Sequence, residues 1–206
     1  MTDYFALLDE PRRPWLDSNV LKAKFLALSA RFHPDRVHHL SEAEKLAAHE
    51  HYAELNAAYR CLCEPKERLA HLLELERGSK PEDLQKVPAG AADLFMEVIQ
   101  VCREADALLV EKVKLSSPVL KAQWFAEGIQ ATERLRSLQE RLNAMRDALT
   151  TQLMNLNLAW ESAPPFGSPA RLNVLPGGRL EQIYRDFSYL ERWTQQIQER
   201  LVQLFL

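Results

Sequence analysis

From Leu180 to Leu204 the chain repeats Leu180, Ile183, Phe187, Leu190, Thr194, Ile197, Leu201 and Leu204 in strict steps of three and four. That period draws one apolar stripe down an α-helix and fits no strand, whose faces alternate every second residue. A second stripe, Leu135, Leu138, Leu142, Met145, Leu149 and Leu156, follows the same scheme with Leu153 beside it. A third consists of Leu94, Val98, Val101, Ala105 and Leu108. Stripes of this kind need partners, so helices over Ala92–Leu115, Pro118–Leu158 and Arg179–Leu206 predict a three-helix bundle. Ser116-Ser117-Pro118 supplies the start of the middle helix, and Gly128 is expected to bend or break it. Between the last two helices, 161–178 holds Pro164-Pro165, Gly167, Pro169 and Pro176-Gly177-Gly178. Such breakers predict a long, irregular, mobile loop.

The first half reads as a helical hairpin. Val20 (or Leu21), Phe25, Leu28 and Phe32 give one apolar face to a helix over Ser18–Arg31, with Asp17 or Ser18 as its N-cap. Pro34 ends it, since proline lacks an N–H and disfavours helical geometry at His33. Tyr52, Leu55, Tyr59 and Leu62 form the seam of a second helix, Glu42–Cys63, suited to an antiparallel neighbour. Glu64-Pro65 closes it, and a shorter helix over Lys66–Arg77 carries Leu69, Leu72 and Leu73. Tyr4, Phe5, Leu7 and Leu8 make an apolar turn able to cover the hairpin. The turn-rich stretches around Gly78–Pro81 and Val87–Gly90 then divide the chain into 1–77, a linker at 78–90, and 91–206. The fold class expected is all-α.

His33-Pro34-Asp35 sits between the two hairpin helices. A rigid, charged turn adds nothing to a core, and its position suits a surface held out for a partner. Lys22, Lys24 and Arg31 place positive charge on the outward side of the preceding helix.

Composition excludes several classes. A net charge of −3 over 206 residues gives no general nucleic-acid binder. No apolar run approaches the ~20 residues of a membrane span. Met1-Thr2-Asp3 leads directly into the first apolar turn, so no leader is expected, and three cysteines fit a reducing cytoplasm. The six histidines all fall between His33 and His71, but His49 and His51 are two apart on a helix and cannot share a face. Zinc needs about four converging ligands, so neither metal nor cofactor is expected. No phosphate loop, nucleophile elbow or carboxylate pair marks an enzyme.

The segments DYFALL, KFLALSARFHPDR and HYAELNAAYRCLCEPKER together resemble a complete J-domain over roughly the first 77 positions. That resemblance implies a module engaging a DnaK-class ATPase: His33, Pro34 and Asp35 would contact the chaperone and promote hydrolysis. Lys22, Lys24, Arg31 and Arg36 would steer the approach to an acidic surface. The Leu-Phe-Met-Glu run at Leu94–Glu97 and the segment YRDFSYLERWTQQIQERL resemble the HscB family of iron–sulfur cluster assembly.

The family resemblance implies two partners, an HscA-type chaperone and an IscU-type scaffold, for a monomeric co-chaperone. Leu94, Phe95, Met96, Ile99, Gln100 and Glu104, with Tyr189 opposite, would hold the scaffold. These overlap apolar residues that the seams leave over, namely Phe95, Met96, Ile99, Cys102, Tyr189 and Trp193. Gln100 stands where the family usually has an acid, Tyr189 where it has phenylalanine, and 161–178 is longer than the family needs. The competing reading is a J-domain protein for another client, with the bundle serving oligomerisation.

Overall fold

The computed structural model describes residues 2–33, 36, 38–39, 41–81, 92–112 and 117–205. Helix is the regular structure throughout these residues. In order they form α1 (Tyr4–Leu7), α2 (Ser18–Ser29), α3 (Glu42–Cys63), α4 (Pro65–Arg77), α5 (Ala92–Lys112), α6 (Pro118–Glu161), α7 (Arg171–Val174) and α8 (Gly177–Phe205). The expected helix ends at Leu115 and Leu206, and 82–90 of the expected linker, lie outside the described residues. The chain divides into two compact units, Met1–Glu82 with Thr150–Tyr184, and Asp83–Leu149 with Arg185–Leu206.

In the first unit, α2 starts at Asp17, whose carboxylate accepts from the N–H groups of Asn19 and Val20. It packs on α3, and Phe25 stacks on Tyr59 with centroids 4.3 Å apart. Phe32 meets His51 edge-on further along, so the two helices run antiparallel. Leu21 is the residue turned inward and Val20 is exposed, which settles the choice left open by spacing. α3 opens with a capping box: Glu44 N–H donates to Ser41 Oγ, and Ser41 N–H donates back to the Glu44 carboxylate. Leu55, Ala58 and Leu62 of α3, Leu69 and Leu72 of α4, and Phe5 and Leu8 close the core with almost no exposed area. Pro65 occupies the first turn of α4, where a missing N–H is harmless. Gly78 ends that helix at φ +76°, and its N–H reaches Glu74 O at 2.8 Å.

Buried polar groups in this unit have defined partners. Arg68 is buried and donates to Pro14 O at 2.8 Å and Leu62 O at 2.5 Å, and burial pushes its pKa down to about 10. Segment 150–184 is attached by reciprocal bonds: Trp15 N–H donates to Asn157 Oδ1, and Asn157 Nδ2 donates to Trp15 O, both at 2.9 Å. Arg171 forms a two-pronged ion pair with Glu76 at 2.8 and 2.7 Å, and its Nη1 also reaches Pro164 O. Arg12 lies over the Phe166 ring at 3.7 Å. The stretch expected to be wholly irregular therefore contains α7 and is held by specific bonds. Spacing alone did not attach it to the hairpin.

In the second unit, Glu97 of α5 pairs with Arg141 of α6, and Glu104 pairs with Arg134. Seven-residue steps on both helices, taken in opposite senses, establish an antiparallel pair. Trp124 Nε1 of α6 also donates to Leu108 O of α5 at 2.7 Å, in the same antiparallel sense. Phe95 contacts Trp193, and Arg200 binds Asp106 at 2.8 Å, so α5 and α8 run parallel. Leu94, Val98, Val101 and Ala105 of α5, with Leu135, Leu138 and Leu142 of α6, are buried as expected.

Two expectations are corrected. α6 is continuous through Gly128, because one glycine weakens a helix by only about 1 kcal/mol. Met145 is 37% exposed while Leu149 and Leu153 are buried. Leu142 and Leu149, one heptad apart on either side of it, keep the inward line, so Met145 lies at the exposed edge of the stripe.

Two stability predictions follow from the first unit. Arg171→Ala leaves Glu76 buried without its partner and is expected to lower stability by about 3 kcal/mol or more in urea unfolding; a loss under about 1 kcal/mol would contradict the pairing. His71 is buried, accepts from Tyr4 N–H through Nε2 at 3.1 Å, and stacks on Tyr4 and Phe5. Burial first, and Arg12 to a lesser degree, hold its pKa below the ordinary value against Asp3 and Glu74. A folded pKa below the unfolded one gives stability that is present above ~6.5 and lost as pH falls through the folded value. Urea unfolding should therefore show the advantage of the parent chain over His71→Gln shrinking between about pH 7 and about pH 5. A gap that widens toward acid would contradict this sign.

Candidate functional site

Pro34 of α2's stop signal and Asp35 lie outside the described residues. His33 is exposed and directs its ring edge-on to Tyr52, with centroids 6.1 Å apart at 90°. Arg36 N–H donates to His33 O at 2.8 Å. The packed pairs Phe25–Tyr59 and Phe32–His51 fix the helix pair beside His33. Lys22, Arg31 and Arg36 are exposed. Lys24 differs: its Nζ donates to Asp9 O at 2.6 Å and pairs with Glu10 at 2.9 Å, where the Glu10 side chain is 3% exposed. Sequence spacing placed Lys24 among outward charges and could not reveal this internal pairing. The hairpin also exposes Leu26 and Leu46, which sequence reasoning did not single out. Both fall off the apolar stripes, and that was the available signal.

The second candidate surface lies on α5 and α8. Met96 is 63% exposed, Gln100 is exposed, and Phe95, Ile99 and Glu104 are half-buried. Leu94 and Tyr189 are buried. Tyr189 and Trp193, expected outside the seam of α8, are turned inward: their rings lie 5.7 Å apart, and Trp193 contacts Phe95 at 6.1 Å. A helix with two neighbours buries a wider stripe than a two-helix seam, and these rings fill the added width. They support Phe95 from below, so the apolar area facing solvent centres on Met96. Arg192 stacks over Tyr189 at 5.0 Å and caps its outer side.

Among the described residues no group of three or more His, Cys, Asp or Glu is placed to hold a metal ion. Cys61, Cys63 and Cys102 are unbridged, and burial pushes the Cys61 thiol up to about 11, far from a reactive thiolate. Among the described residues no helix is long and apolar enough to cross a membrane.

No protein-family model matches the chain. A co-chaperone protein HscB homolog from Vibrio cholerae is 39% identical over 74 residues, which are 36% of this chain and 43% of that protein. The sequence match thus spans less than half of that relative's length. Among solved structures, chaperone HscB from Vibrio cholerae superposes with a TM-score of 0.52 at 22% identity, covering 97% of this chain and 99% of that one. Human co-chaperone protein HscB gives 0.62 at 18% identity, covering 97% of this chain and 82% of its own. At those identities the structures speak for the fold, a J-domain with a helical bundle. The chain is thus similar in sequence to an HscB homolog over 74 residues and shares the HscB fold over almost all of its length.

Proposed function

We propose that this chain is a J-domain co-chaperone of iron–sulfur cluster assembly, working in the cytoplasm as a monomer. It stimulates the ATPase of a DnaK-class, HscA-type chaperone and delivers an IscU-type scaffold to it. The observation that carries the first half is the exposed His33 turn at the end of a well-packed hairpin, flanked by exposed Lys22, Arg31 and Arg36. His33, Pro34 and Asp35 make the chaperone contact, and the flanking cations steer the encounter, an effect seen in association rate and salt dependence. Lys24 takes a positioning role, holding Asp9 and Glu10. Met96, with Phe95, Ile99, Gln100 and Glu104 around it, meets the scaffold, while Leu94 and Tyr189 form the floor of that surface. Tethering the scaffold raises its effective concentration at the chaperone. The chain performs no catalysis of its own and needs no cofactor in this scheme.

Single-turnover ATP hydrolysis by the chaperone tests the first surface. Asp35→Asn is expected to abolish stimulation while circular dichroism stays unchanged, and stimulation that persists would overturn the assignment. Lys24→Ala and Lys22→Ala should separate in kind. The former strands a buried carboxylate and lowers stability by about 1–3 kcal/mol; the latter leaves stability within about 0.5 kcal/mol and slows association.

Calorimetric titration with the scaffold tests the second surface. Met96→Ala should weaken binding by roughly tenfold, the effect of truncating a central apolar anchor. Absence of binding by the parent chain would leave the J-domain assignment standing and point to a different client.

A further inference from the structure

The candidate docking face contains carboxylates that its own neighbour already holds. Arg141 Nη1 donates to both oxygens of Glu97 at 2.7 Å. Arg134 of the same helix meets Glu104, whose other oxygen accepts from Gln100 Nε2 at 3.1 Å. The acidic side of the face is therefore closed into two charge-neutral pairs, directly beside exposed Met96 and half-buried Phe95 and Ile99. Gln100 itself is uncharged, and exposed Asp93 and Arg103, one of each sign, lie further along the outward side of α5, so the face presents apolar area with little net charge.

Resting on the scaffold reading above, we propose that Arg134 and Arg141 determine which partner chemistry this face accepts. They neutralise Glu97 and Glu104, so that the face takes an apolar, nearly uncharged patch of the scaffold and not a cluster of lysines or arginines. A partner cation seeking either carboxylate would have to displace an arginine tethered in the same molecule, which competes at high effective concentration. Apolar contact has no such competitor, and salt does not screen it.

The test is calorimetric titration of the full chain with the scaffold at about 0.05 M and about 0.5 M NaCl, across which exposed charge pairs are strongly screened. The affinity of the parent chain is expected to change by less than about threefold. The double variant Arg134→Gln with Arg141→Gln leaves two uncompensated carboxylates against an apolar patch, and should bind about five- to tenfold more weakly. Adding Glu97→Gln and Glu104→Gln to it should restore affinity to within about twofold, since neutrality is regained without any ion pair. A parent affinity that falls more than about tenfold with salt would overturn the inference, as would a double variant that binds more tightly. Either result leaves the scaffold reading intact, whereas a parent chain that binds no scaffold removes both. Circular dichroism of each variant confirms the fold, and the salt dependence of the parent chain stands without any variant.

Discussion

The ion pair between Glu76 and Arg171 is the contact on which the hairpin unit depends. Both side chains are almost fully removed from water, at 5% and 9% exposure, so each charge is tolerable only because the other is there. The pair joins the last turns of α4 to α7, and the Asn157–Trp15 bonds join α6 to the segment before α2. A hairpin of this size buries limited apolar area by itself. Segment 150–184 therefore belongs to the unit that presents His33, and the proline-rich stretch is structural rather than spare.

Helix existence and most helix ends were legible in the residues. Pro65 and Pro118 act through missing N–H groups and Gly78 through positive φ, all local effects readable without a fold. Hence the ends of α3 agree to the residue, those of α4 within one, and the start of α8 within two. What spacing missed depends on partners far along the chain. Arg171 and Glu76 stand 95 positions apart, and Asn157 and Trp15 stand 142 apart. No periodicity links such residues, and a proline-rich stretch looks the same whether loose or held. Tyr189 and Trp193 fall outside the strict seam of α8 for a related reason: spacing marks one stripe, and only the fold shows that α8 buries a broader one. Lys24 reads identically to Lys22 in sequence, and only the fold distinguishes the lysine that pairs internally.

The two candidate surfaces differ in physical character. Around His33 the groups are charged, exposed and carried by helices locked through aromatic stacking, an arrangement suited to rapid, salt-sensitive encounter. Around Met96 the area is apolar, floored by Tyr189 and Trp193, with neighbouring carboxylates already compensated. Such a surface suits slow release, since apolar anchoring acts chiefly on dissociation. The proposed function, holding a client while touching an ATPase briefly, would need both kinds.

The most direct measurement is single-turnover hydrolysis by the DnaK-class chaperone with the scaffold and this chain added singly and together, repeated with Met96→Glu. The account predicts that the two together accelerate hydrolysis beyond the product of their separate effects, and that Met96→Glu removes this excess while keeping the stimulation due to the J-domain alone. An excess that survives Met96→Glu, or that never exceeds the separate effects, would contradict the claim that one chain couples the two partners.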